Sequence, residues 1–129
     1  STLENVRLVG LAAKSISSLQ FTTNRECNRV ETAVVEALTN IVKHAYKYSC
    51  DKKIETIIDI CDNQICFTIT DTGHSYNPND IPYYDFDPQD LVNLPENGMG
   101  IHIYCSIMDE VHYFSRNGKN ELTLIKYIS

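Results

Sequence analysis

Two polar residues in one amphipathic stretch could act together on a ligand. Glu36 and Asn40 are four residues apart where apolar residues recur at helical spacing, so both should lie on one side of a helix, one turn apart. The Asn40 amide oxygen could bind Mg²⁺, and the Glu36 carboxylate could accept a proton. A solvated helix surface carries the same residue types, so this pair alone leaves both interpretations open.

Lys43 and His44 follow one turn further along the same predicted helix. Lys43 could reach a phosphate group, and His44 could support Glu36 or Asn40. For each of the two, an ordinary role at the surface or in packing explains the sequence equally well.

A carboxylate ends one of the predicted strands. Ile65, Phe67 and Ile69 alternate along this strand and would share its buried face. Counting on by two places Asp71 on that same face. A buried acid needs a polar partner, because burial of an unpaired carboxylate is costly.

A short glycine-containing segment opens the last predicted helix. Asn97-Gly-Met-Gly100 leads directly into Ile101, Tyr104, Cys105 and Met108, which follow at helical spacing. Free N–H groups and the helix dipole at such an N-terminus both favour an anion. The segment therefore predicts a phosphate-binding site.

The remaining patterns predict the elements that position these groups. Thr23 or Asn24 would cap the central helix, and Asn117-Gly118 is a hairpin signal. Helices are predicted at 3–18, about 25–48 and from 98 to 108, and strands at 54–61, 65–70, 111–116 and 120–128. The aperiodic stretch at about 76–96 is predicted to be a lid. This order predicts one α+β domain over residues 1–129: a two-layer sandwich whose mixed, mostly antiparallel sheet is covered on one face by three helices.

Composition limits the function classes. The chain has 129 residues and a net charge of −6, with scattered Lys and Arg, which argues against direct nucleic-acid binding. It has no apolar run long enough to span a membrane and no signal peptide pattern, so a cytoplasmic location is expected. Its five cysteines contain no C-x-x-C pair and are expected to be reduced and mostly buried.

Three motifs occur in order: Glu36-x-x-x-Asn40, Asp71-x-Gly73 and Gly98-x-Gly100. With this set the chain resembles the GHKL (Bergerat) nucleotide-binding fold and, within it, the anti-sigma factor serine/threonine kinases of bacteria. The resemblance covers nearly the whole chain, including Met-Asp-Glu-Val at 108–111 and Lys-Tyr-Ile at 126–128.

The resemblance implies binding of ATP with Mg²⁺. Asp71 would accept a hydrogen bond from the adenine amine, and Gly73 would leave space beside the base. Asn40 would be the Mg²⁺ ligand, and Glu36 would be the catalytic base. The phosphate-binding residues implied are Asn97, Gly98, Met99, Gly100 and Ile101, with Lys43 and His44 as secondary candidates.

Thr123 resembles a hydroxyl that the family holds near the adenine-binding Asp. The alternation of Thr123 with Ile125 would place it inwards, while an ordinary strand threonine is the alternative.

The sequence departs from the family pattern in two places. Ser75 occupies a position where many members have a second glycine, and no leading strand or initiator Met precedes the first helix, which suggests a trimmed N-terminus.

The function implied is phosphorylation of a serine on an antagonist (STAS-type) protein, coupled to sequestration of a sigma factor. Homodimer formation is compatible with this function. The alternative is a non-catalytic module that uses ATP to gate partner binding. Glu36 favours the kinase, because holding ATP alone would not need a base at this position.

Overall fold

The computed structural model describes residues 3–20, 23–45, 53–73 and 99–128, without the side chains of 44, 45, 99 and 100. The predicted lid at 76–96 lies outside this part of the chain, as do Ser75, Asn97 and Gly98. The helices are α1 (Leu3–Ser17), α2 (Asn24–Asn40), which continues into a π-helical turn (Ile41–Ala45), and α3 (Met99–Ile107). The strands are β1 (Glu55–Ile60), β2 (Gln64–Asp71), β3 (Glu110–Arg116) and β4 (Lys119–Tyr127).

The four strands form one sheet in the order β1-β2-β4-β3. Each neighbouring pair among the described strands is antiparallel, so this part of the sheet is antiparallel throughout instead of mixed. Asn117 and Gly118 both have positive φ and form the turn between β3 and β4, which confirms the predicted hairpin. The predicted α+β sandwich is confirmed.

One face of the sheet forms the core with the helices. Burial along β2 alternates strictly, and Ile65, Phe67 and Ile69 are fully buried as predicted. Leu122 and Leu124 of β4 lie on this same inner face and join the same apolar cluster. The helices contribute the other members of this cluster, among them Val6, Ala13, Val30, Val34, Ile101 and Tyr104.

Helix α2 has a capped N-terminus and changes to π-helical geometry at its C-terminal end. The Thr23 hydroxyl accepts a hydrogen bond from the Glu26 backbone N–H at 3.3 Å, so Thr23 is the N-cap. The prediction of one continuous α-helix to residue 48 is wrong, because the helix changes to a π-turn directly after Asn40. Apolar spacing did not indicate this change, since Leu38, Ile41 and Val42 are all buried and continue the stripe.

The segments at 108–111 and 126–128 contact each other. The Asp109 carboxylate accepts the Tyr127 backbone N–H at 2.6 Å, and Lys126 donates to the Ile107 carbonyl at the end of α3. The Tyr127 hydroxyl donates to Glu110 at 2.6 Å. This bond lowers the pKa of Glu110 and raises the pKa of Tyr127. These segments therefore attach α3 to the sheet.

The described cysteines are free thiols. Cys27 is buried and Cys66 is half-buried, but Cys61 and Cys105 are exposed, so the expectation of mostly buried thiols is wrong for these two. No helix in the described part of the chain is long and apolar enough to cross a membrane.

Gly10 allows α1 to approach α2 closely. It is buried on the face of α1 that packs against α2, and a Cβ at this position would lie 2.4 Å from Val35 Cγ2. Val35 is β-branched and has few alternative rotamers in a helix, so it cannot easily move away.

We expect Gly10→Ala to destabilise the fold by about 1 to 3 kcal/mol, because overpacking outweighs the higher helix propensity of alanine. Thermal or urea unfolding monitored by circular dichroism measures this change. The matched control is Ser15→Ala on the exposed side of α1, which should change stability by less than about 0.5 kcal/mol. A Gly10→Ala variant as stable as the parent would contradict the close approach.

Candidate functional site

Asp71 is the last residue of β2 and lies on the buried face of this strand, as the alternation predicted. It is only 3% exposed. Asp71 Oδ1 accepts a hydrogen bond from the Gly73 backbone N–H at 2.9 Å and another from Asn120 Nδ2 at 2.8 Å. Both bonds end on Oδ1, so neither uses Oδ2.

Asn120 links Asp71 by hydrogen bonds to the Gly73 carbonyl and to the Ser115 hydroxyl. Besides Asp71, its Nδ2 donates to the Gly73 carbonyl at 2.9 Å. Its Oδ1 accepts the Ser115 hydroxyl at 2.7 Å. Asp71 is paired with Asn120 across β2 and β4, and Ser115 is paired with Asn120 across β3 and β4. Three adjacent strands therefore meet in one polar cluster.

The inward position predicted for Thr123 is wrong. The buried residues of β4 are Asn120, Leu122 and Leu124, so Thr123 lies on the opposite face, across from Thr68. The polar side chain of β4 that meets Asp71 is Asn120. The alternative interpretation of Thr123 as an ordinary strand residue fits this geometry.

Glu36 and Asn40 lie one turn apart on α2. Asn40 is 8% exposed and Glu36 is half-buried, so neither has the full exposure of a solvated surface residue. The Asn40 Nδ2 atom is buried and has no hydrogen-bond partner among the described residues. A buried amide without a partner is costly, and a ligand at this point would remove that cost.

Lys43 and His44 follow Asn40 within the π-turn. A π-turn has a different hydrogen-bond spacing from an α-turn, so the α-helical stacking predicted for these residues does not carry over. Lys43 is exposed. The His44 side chain is not among the described parts of the structure.

Helix α3 begins at Met99, as the glycine-containing segment predicted. The N–H groups in its first turn, including those of Gly100 and Ile101, have no acceptor within the helix. The Ile101 side chain is 4% exposed and belongs to the core. Ile101 could therefore contact a ligand only through its backbone, while its side chain packs the first turn of the helix into the core.

The sequence reasoning missed Asn120 and Ser115. Asn120 alternates with Leu122 and Leu124, but Ile125 makes the other face of β4 apolar as well, so alternation alone did not identify Asn120 as an inward residue. Extending the hairpin from Asn117-Gly118 places Ser115 opposite Asn120.

The residues present suit a nucleotide with a divalent cation. Asp71 offers a carboxylate in a buried position, which selects a hydrogen-bond donor. Asn40 offers a hard amide oxygen and an amide N–H group without a described partner. The start of α3 offers free N–H groups to an anion. One protein ligand is compatible with Mg²⁺, because this ion keeps several waters and binds substrate phosphates.

Comparison with known proteins gives a match along the chain. The family described as "Histidine kinase-like ATPase domain" matches residues 1–126. The chain is 32% identical over 134 residues to Serine-protein kinase RsbW of Staphylococcus epidermidis, covering 99% of this chain and 82% of that protein. It is also 32% identical over 133 residues to Serine-protein kinase RsbW of Staphylococcus aureus strain Newman, with the same coverage of both chains.

Proposed function

The chain belongs to the histidine kinase-like ATPase domain family, and on this basis we propose that it is an ATP- and Mg²⁺-dependent protein serine/threonine kinase. The observation that carries the proposal is the buried Asp71 carboxylate, whose described bonds leave Oδ2 for a donor such as the adenine amine. Its cytoplasmic substrate would be a serine on a STAS-type antagonist protein.

The phosphate end of the site would be built by α2 and α3. Asn40 would hold Mg²⁺ through Oδ1, and the ion would neutralise charge on the phosphates when bound. The N–H groups of Gly98, Met99, Gly100 and Ile101 would donate to phosphate oxygens. Asn97, Lys43 and His44 are secondary candidates at this end, and Gly73 lies beside the base.

Glu36 would carry out the proton transfer. Its carboxylate would orient the serine hydroxyl and accept its proton as the new oxygen–phosphorus bond forms and ADP leaves. The half-buried position of Glu36 one turn before Asn40 supports this role.

The same chain would also bind a sigma factor, so that phosphorylation of the antagonist controls which of the two proteins the chain binds. A homodimer is compatible with this function.

Asp71→Asn should weaken ATP binding by about tenfold or more, because the new amide keeps an oxygen for Gly73 and Asn120 but loses the second acceptor. Isothermal titration calorimetry measures the change. Asp59→Asn, an exposed carboxylate on β1, is the control and should bind like the parent. Parental affinity in Asp71→Asn would show that the base is placed wrongly.

Glu36→Gln should keep ATP binding and lose phosphoryl transfer by a factor of about 10² to 10⁴, since glutamine keeps the size but cannot take the proton. The assay mixes labelled ATP with a STAS-type antagonist protein. Glu31→Gln is the matched control on α2, because Glu31 faces Lys14 of α1. If Glu36→Gln transfers phosphate at the parental rate, the non-catalytic ATP-binding module becomes the better description.

Asn40→Ala should remove the dependence of ATP binding on Mg²⁺, because the protein ligand of the ion is lost. Titrations with Mg²⁺ and with a chelator measure this dependence in the parent and the variant. Asn28→Ala, an exposed asparagine on the same helix, should keep it. A full parental Mg²⁺ effect in Asn40→Ala would exclude Asn40 as the ligand.

A further inference from the structure

Asn120 is a buried polar residue that the proposed function does not use. It is 2% exposed, on the inner face of β4, although asparagine is usually a surface residue. A turn position does not explain it, because Asn117 and Gly118 form the turn and Asn120 pairs within the sheet. Its burial therefore calls for a role in the cluster at this end of the sheet.

The contacts of Asn120 fix its orientation. Both hydrogens of Nδ2 have an acceptor, one on Asp71 and one on Gly73, and Oδ1 accepts from Ser115. Turning the amide over would place Oδ1 against two acceptors and Nδ2 against the hydroxyl. A hydroxyl can donate or accept, so the two acceptors, Asp71 and the Gly73 carbonyl, decide which way the amide faces. The Ser115 hydroxyl then donates to Oδ1 and holds the amide in that place.

These contacts also restrict the carboxylate. Asp71 Oδ1 receives one bond from its own strand end, through Gly73, and one from β4, through Asn120. Two donors from different directions oppose rotation of the carboxylate. Oδ2 is left pointing in a defined direction.

We propose that Asn120, held by Ser115, is a positioning residue for base selection. It fixes Asp71 so that Oδ2 can accept only from a donor at one point, which favours purines with a 6-amino group over those with a 6-oxo group. The inference rests on the proposed nucleotide site, and it adds two residues of β3 and β4 to that site. A purely structural role for Asn120 would affect all nucleotides equally.

The test compares ATP with ITP, which carries an oxo group where ATP carries the amine. Dissociation constants for both are measured by isothermal titration calorimetry on the whole chain, and folding is checked by circular dichroism. Asn120→Leu removes the donors at similar size. We expect its ratio of ITP to ATP dissociation constants to fall about tenfold, mainly through weaker ATP binding. ITP binding should change little, since ITP gains nothing from the oriented carboxylate.

Ser115→Ala provides a second variant, because it removes a hydroxyl from an exposed residue and is not expected to prevent folding. The ratio should fall about threefold, since one neutral hydrogen bond that holds Asn120 is lost. Glu121→Gln is the control: Glu121 is the exposed neighbour of Asn120 on β4 and faces away from the core. Its ratio should equal that of the parent.

The outcomes separate the inference from the proposed function. A parent that binds ITP as well as ATP would overturn the placement of adenine at Asp71, and the inference with it. A parent that prefers ATP, with an unchanged ratio in Asn120→Leu, would overturn the inference alone, even if both nucleotides bind more weakly. If Asn120→Leu does not fold, Ser115→Ala decides, and an unchanged ratio there overturns the proposal.

Discussion

The burial of one carboxylate constrains the sheet end on which the site depends. An ionised carboxylate out of water costs several kcal/mol unless it is paired and hydrogen-bonded. Here the pairing partner of Asp71 is Asn120 on the adjacent strand β4. A slip of β4 by one residue would turn Asn120 to the other face and bring Glu121 inwards. The register of β2 with β4 is therefore coupled to the polar cluster, and the cluster in turn favours that register.

Helix α2 differs from the sheet end, because its buried polar group has no hydrogen-bond partner among the described residues. Its apolar stripe packs into the core, whereas the Asn40 amide at its end is buried without a described partner. An unsatisfied buried donor costs about 1 to 3 kcal/mol, which a protein retains mainly where a ligand repays it. The change from α to π geometry occurs directly after Asn40, and π-turns often mark functional sites. An unpaired buried amide and a change of helix type thus coincide at Asn40.

The sequence predicted most of the fold and one member, Asp71, of the buried polar cluster at the end of the sheet. Strict alternation in β2 predicted the burial of Asp71, since only one of its faces is apolar. In β4 the residues at 122–125 are Leu, Thr, Leu and Ile, so both faces carry apolar residues and periodicity could not identify the inner one. The register with β2 decides it, and register is a tertiary property. The π-turn was hidden for a similar reason, because the residues after Asn40 continue the buried stripe.

The two ends of the site depend on different parts of the fold. The proposed base-binding end is built by strand register, through Asp71 and Asn120. The proposed phosphate-binding end is built by helix packing, because α2 contacts both α1 and α3. Gly10 allows the close approach of α1 to α2, and the buried Ile101 packs the first turn of α3 into the core. Since Phe67, Leu124 and Tyr104 share one core cluster, both ends are held by the same interior.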